Sequence, residues 1–124
     1  IDMGAGDDHV ITSGITNGGA FLLGSGDDLM EVESGRGSGG TISLGRGDDI
    51  FSGLINGSVD GDAGRDAVLL QPGQYSISDQ GSSFQIGGSL FLSGIESIGS
   101  IQGNTLSLRA GLLNIGADGS VAYL

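Results

Sequence analysis

Short apolar or alternating stretches recur through the first part of the chain: His9-Val10-Ile11, Leu29-Met30-Glu31-Val32, Ile50-Phe51 and Ala67-Val68-Leu69-Leu70. Each follows a cluster of Gly and Asp, and brief β-favouring runs bounded by such clusters read as short strands. A second set lies midway between them, at 20–23, 41–44 and around Val59. These follow glycine-rich segments that read as turns, Asn17-Gly18-Gly19, Gly35-Arg36-Gly37-Ser38-Gly39-Gly40 and Asn56-Gly57-Ser58. The unit is strand, turn, strand, turn in about 20 residues. Two short strands per unit, with one turn type recurring on the same side, predict an all-β, two-sheet solenoid with parallel neighbours about 4.8 Å apart. Equivalent side chains should then form ladders. Val10, Met30, Phe51 and Val68 are expected to point inward behind the Asp turns, with Leu22, Ile42 and either Ile55 or Val59 on the opposite wall.

The acidic turns align as MGAGDDHVIT (3–12), LGSGDDLMEV (23–32), LGRGDDIFSG (44–53) and GDAGRDAVLL (61–70). Their last acids, Asp8, Asp28, Asp49 and Asp66, are spaced by 20, 21 and 17 residues. The chain carries 15 acids against 4 basic residues, a net charge of −11, and these turns hold Asp7, Asp8, Asp27, Asp28, Asp48, Asp49, Asp62 and Asp66. The charge is therefore organised. Stacking would bring successive carboxylates within about 5 Å of each other, where like charges repel by about 1–3 kcal/mol per pair. Such a stack needs a counter-cation. With no Cys and His9 the only imidazole, the donors are carboxylate and carbonyl oxygens, which favour calcium over zinc, copper or tightly octahedral magnesium. Four turns leave gaps for about three Ca²⁺ ions, and glycine lets the turn backbone aim its carbonyls at them.

These segments resemble the nonapeptide of RTX (repeats-in-toxin) proteins, G-G-x-G-x-D-x-U-x. GDAGRDAVL at 61–69 is similar almost throughout; the other three match from the second glycine, with Met3, Leu23 and Leu44 in place of the first. The resemblance implies a right-handed parallel β-roll in which Asp8, Asp28, Asp49 and Asp66 supply carboxylates. Gly4, Gly6, Gly24, Gly26, Gly45, Gly47, Gly61 and Gly64 would supply carbonyls, with Asp7, Asp27, Asp48 and Asp62 beside them. In that family the repeat recurs every nine residues and both edges bind calcium. Here the intervening turns lack the Asp, so calcium is expected along one edge only. The segment QYSISDQGSSFQIGGSLFLSGIESI (74–98) also resembles the stretch found directly after the repeats in many RTX proteins, whose C-terminal regions carry a type I secretion signal.

The expected organisation is a roll over 1–70 and a β-rich C-terminal cap over 71–124, starting at Gln71-Pro72-Gly73-Gln74. Cap strands are expected at 75–78, 83–86, 89–92, 106–108, 113–115 and 121–124, with Tyr75, Phe84 and Phe91 clustered over the open end of the solenoid. The resemblance implies a calcium-binding structural module of a secreted or cell-surface bacterial protein, folding on calcium after export, with a scaffold, fibre, surface-layer or adhesive role. The alternative it implies is the C-terminal secretion and folding module of a larger exoenzyme of protease or lipase type. The opening at Ile1 suits a processed or excised segment.

Other classes find no support. The acidity disfavours nucleic acid and anionic membranes, and no apolar run reaches the ~20 residues of a membrane helix. Without cysteines there is no disulfide framework, so a small extracellular domain needs another staple, usually a metal. No enzyme is expected: a single His, no G-x-S-x-G and acids committed to turns leave no catalytic set. An EF-hand starting at Asp60 fails because its twelfth position is Gln71. Glu31 and Glu33 read as an outer face, Glu96 as a solvent or cap residue, and Arg36, Arg46 and Arg65 as local charge compensation. The outward positions lack the regular Thr or aromatic ladder of an ice- or carbohydrate-binding sheet. Expected partners are calcium and either further copies or other domains of the same protein.

Overall fold

The computed structural model describes residues 3–12, 20–32, 38–53, 56–87 and 90–124. Among them every regular element is a strand. In chain order these are β1 His9–Thr12, β2 Ala20–Leu22, β3 Leu29–Val32, β4 Ser38–Ser43, β5 Ile50–Ser52, β6 Asn56–Asp60 and β7 Ala67–Leu70. They continue with β8 Gly73–Asp79, β9 Phe84–Ile86, β10 Leu90–Ser93, β11 Ser97–Ser100, β12 Thr105–Ser107, β13 Gly111–Ile115 and β14 Val121–Tyr123. They form two sheets, ordered β1-β3-β5-β7-β11-β12 and β14-β13-β8-β9-β10-β6-β4-β2. The chain thus alternates between sheets, and each return lands parallel to the strand laid down one rung earlier.

The register creates the core. Val10, Met30, Phe51, Val68 and Ile98 stand in line, and the last four are fully buried. On the facing sheet the line is Phe21, Ile42, Val59 and Leu92. The inward residue of β2 is therefore Phe21, packed against the core, and Leu22 is 49% exposed. Strand side chains alternate, so an error of one residue inverts the assignment. Leu22 shares its line with Ser43 and Asp60, the outward positions. Val59 fills the opposite-wall position, while Ile55 lies outside the described residues.

Two expected turns are strand. Ser38-Gly39-Gly40 opens β4 and Asn56-Gly57-Ser58 opens β6. Gly57 is tolerated there because it lies against the Gly40 carbonyl, into which any Cβ would run. The Asn17–Gly19 segment and 35–37 lie outside the described residues.

The parallel stacking does not end at residue 70. The antiparallel pair β8–β9 is an excursion, after which the stacking resumes: β10 pairs parallel with β6 and β11 with β7, adding a fifth rung. The physical reason is that Leu90, Leu92 and Ile98 continue the apolar lines and cover the fourth rung. β12 then folds back on β11, while β9, β8, β13 and β14 extend the other sheet antiparallel. Tyr75 and Phe84 pack on the core, and the Tyr75 hydroxyl donates to the Gln71 carbonyl at 2.8 Å. Phe91 does not join them. It is 40% exposed because it is in register with Ser58, an outward position of β6. Phe51→Ala should therefore cost about 3–5 kcal/mol in urea denaturation, and Phe91→Ala less than about 1 kcal/mol.

Candidate metal centre

The Gly/Asp turns connect the two sheets along one side of the stack. Gly4, Gly24 and Gly45 share φ values of 77–86°, and Gly6, Gly26, Gly47 and Gly64 share values of 105–125°. Both positions need glycine for conformation. They need it for space as well: a Cβ on Gly24 would strike the carbonyl oxygen of Gly4, on Gly26 that of Gly6, on Gly45 that of Gly24, on Gly47 that of Gly26, and on Gly64 that of Gly47. The turns are held in register by backbone bonds from Gly6 to Ser25 (2.9 Å), Gly26 to Arg46 (3.0 Å) and Gly47 to Ala63 (3.2 Å), each glycine N–H donating.

The fourth turn departs from this alignment. Leu23, Leu44 and Gly61 each donate to the rung above, at Ser43, Asp60 and Ser93. Gly61 is thus the counterpart of the buried Leu23 and Leu44, not of Gly4. The residue equivalent to Gly4, Gly24 and Gly45 is Asp62, with φ of 60°, the one non-glycine at positive φ among the described residues. Its N–H is held by Asp60 Oδ1 at 2.9 Å, a local bond typical of Asp in such a conformation.

The acids form two ladders. In the inner one the Asp8 N–H donates to Asp28 Oδ1 (2.8 Å), Asp28 to Asp49 (2.7 Å), Asp49 to Asp66 (3.0 Å) and Asp66 to Glu96 Oε1 (2.7 Å). In the outer ladder the carboxylates reach the other way along the stack: Asp27 donates to Asp7 Oδ1 (2.8 Å), Asp48 to Asp27 (2.9 Å) and Arg65 to Asp48 (3.0 Å). The outer carboxylates are exposed. Asp62 does not belong to this ladder; Arg65 holds its place in the fourth turn.

The inner carboxylates are buried, with Asp28, Asp49 and Asp66 no more than 2% exposed. One oxygen of each meets a backbone N–H. The other, Oδ2 of Asp8, Asp28, Asp49 and Asp66, is buried without a hydrogen-bond partner. Leaving such an oxygen unpaired costs several kcal/mol while the group is ionised. Burial accordingly raises the Asp28 carboxyl above its ordinary value and pushes Asp49 up to about 6 and Asp66 up to about 7, with the neighbouring Asp charges adding to the rise. Among the described residues no three acidic, His or Cys side chains converge on one point. A cation in a gap would therefore draw on one or two carboxylates and on turn carbonyls, the hard-oxygen set that calcium accepts. A depression of about 240 Å³ opens beside Asp48, Asp49, Arg65 and Asp66 and gives the turns a face toward solvent.

The remaining polar residues lie elsewhere. His9 Nε2 meets Glu31 Oε2 at 2.8 Å on the exposed face of the first sheet, and Arg109 lies over the Tyr123 ring at 4.2 Å. Arg36 and Glu33 are outside the described residues. Glu96, expected as a solvent or cap residue, is exposed and also ends the inner ladder, accepting the Asp66 N–H. The order Leu-Ser-Gly-Ile-Glu-Ser-Ile at 92–98, an apolar strand end, a Gly bend, an acid and a strand, is the signal that marks it. No helix of the described residues is long and apolar enough to cross a membrane. Comparison with family models, curated proteins and solved structures finds no match to this chain.

Proposed function

We propose that the chain is a calcium-binding structural module of a secreted or cell-surface protein, a right-handed parallel β-roll of RTX type that takes Ca²⁺ between successive Gly/Asp turns. One observation carries the reading: each of the four Asp turns buries a carboxylate oxygen that has no partner. A divalent ion in each gap would neutralise those oxygens and complete their coordination. Three ions would offset six of the eleven net negative charges.

Binding and folding are then one event. In the unfolded chain the acids are solvated and apart; in the folded chain they are desolvated and stacked, so the ion stabilises only the latter. A site with few carboxylates and neutral carbonyls binds weakly, in the range of extracellular calcium modules, about 10⁻⁴–10⁻³ M. Such a chain stays extended where calcium is scarce and folds outside, as a scaffold, fibre, surface-layer or adhesive element needs. Circular dichroism at neutral pH should show little β signal in chelator and a cooperative gain on adding millimolar calcium, but not magnesium. A spectrum that EDTA leaves unchanged overturns the proposal.

A further inference from the structure

Building on the calcium reading, we infer that the underside of the first rung is a docking face for a further Gly-x-Gly-Asp-Asp coil. The coil lies parallel to β1, with a Ca²⁺ ion in the new gap. Its chemistry is identified by what covers the same surface elsewhere in the molecule.

The two ends of the stack differ. At the upper end β12 folds back antiparallel on β11 and β9 on β10, which ends the parallel stacking in both sheets. At the lower end, among the described residues, β1 closes its sheet and is bonded to β3 alone. The apolar lines open there as well. Val10 is half-buried where Met30, Phe51 and Val68 are fully buried, and Met3 where Leu23 and Leu44 are. A bare parallel edge beside an open apolar end is the surface on which another rung settles.

The first turn carries the groups that such a rung would engage. Asp28, Asp49, Asp66 and Glu96 each accept an N–H from the turn below, and Asp8 receives none from the described residues. The Asp27 and Asp48 N–H groups donate to the outer carboxylate of the turn below, an acceptor that Asp7 lacks among the described residues. Gly26, Gly47 and Gly64 lie against the carbonyl of the glycine one rung down, whereas nothing described lies within 4 Å of the same point on Gly6. Asp8 Oδ2 is buried and unpartnered, as in the three turns above it. A Gly/Asp coil below would meet all four at once. Its inner N–H would reach Asp8, its outer carboxylate the Asp7 N–H and its glycine carbonyl Gly6, while its inner carboxylate and Asp8 would frame the ion. The turn-to-turn interface already repeats three times, and the first turn presents its lower half again. A second copy of this chain does not supply the coil. Its upper end is covered, and two undersides would pair antiparallel, unlike the Gly/Asp rungs.

The test places residues 1–20 a second time directly ahead of Ile1, a duplication that keeps the 20-residue spacing of Asp8 and Asp28. Bound Ca²⁺ is counted by native mass spectrometry and calorimetry on wild type, on the duplicated chain, and on the duplicated chain with Asp8→Asn in the added copy. The duplication should bind one ion more than wild type, and its Asn form no extra ion. An unchanged count on the duplicated chain overturns the docking face while leaving the calcium-binding roll intact. So does a wild-type dimer that forms with calcium and protects the β1 amides from hydrogen exchange. No ion on wild type removes the calcium reading itself. Should the longer chain not fold, the free peptide 1–20 added to wild type in millimolar calcium decides. Amide shifts confined to Gly6–Thr12 support the proposal, and none there overturns it.

Discussion

Asp49→Asn should raise the calcium concentration needed for folding by about 10- to 100-fold, while the calcium-free chain becomes more structured, not less. Asp49 lies between two of the proposed gaps, so it borders an ion on either side. Its Oδ1 accepts the Asp28 N–H at 2.7 Å and its own N–H goes to Asp66 Oδ1. Asparagine keeps both bonds. What it loses is the ionised character of Oδ2, buried and unpartnered. A neutral amide there is cheaper to bury than a charge, so the metal-free fold gains. With calcium the balance reverses, because the ion loses a charged ligand. A purely structural Asp ladder predicts only the gain. The check is a calcium titration followed by circular dichroism, with Glu31→Gln as control, since Glu31 is partly exposed on the outer face and pairs with His9. Equal midpoints for the two variants would remove Asp49 from the site.

The repeat was legible because it is local. The Gly-x-Gly-Asp-Asp clusters give the turn conformation, their spacing gives the rung length, and the apolar lines through Met30, Phe51 and Val68 come from both. What was not legible depended on alignment between distant segments. Leu22 and Phe21 are adjacent and both apolar, so the choice of inward residue rests on pairing with Ile42 and is invisible within a three-residue strand. Gly61 matches the RTX nonapeptide at its first position, yet its hydrogen bond to Ser93 aligns it with Leu44 and moves Asp62 into the left-handed position. The largest miss has the same origin. The antiparallel excursion of β8 and β9 hides the return of the chain to the stack, and a shortened bend with Glu instead of Asp does not look like a turn of the series. Only the parallel pairing of β10 and β11 reveals it.

The metal-free chain should gain β structure as pH falls from 8 to 5, whereas the calcium-induced gain should shrink over the same range. Asp49 and Asp66 titrate in the metal-free fold at about 6 and about 7, and Asp28 is also raised, against 3.8 for the solvated group. A carboxyl whose folded value lies above its unfolded one binds its proton more tightly in the fold. Its contribution to stability is then full below about 4 and is lost as pH rises through 6 to 7. For the coupled set this amounts to a few kcal/mol, roughly. Protons and calcium are alternative answers to the same problem, the buried unpaired oxygen, so each weakens the demand for the other. Acidification also relieves the general repulsion of a chain at −11, which acts in the same direction. Salt separates the two contributions. At about 1 M salt the screening length is about 3 Å, which suppresses repulsion among exposed acids but acts far less on buried ones. The acid-induced gain in chelator should persist there and should be smaller in Asp49→Asn. A metal-free chain that loses structure on going from pH 8 to 5 would mean that these carboxylates are not buried in the fold.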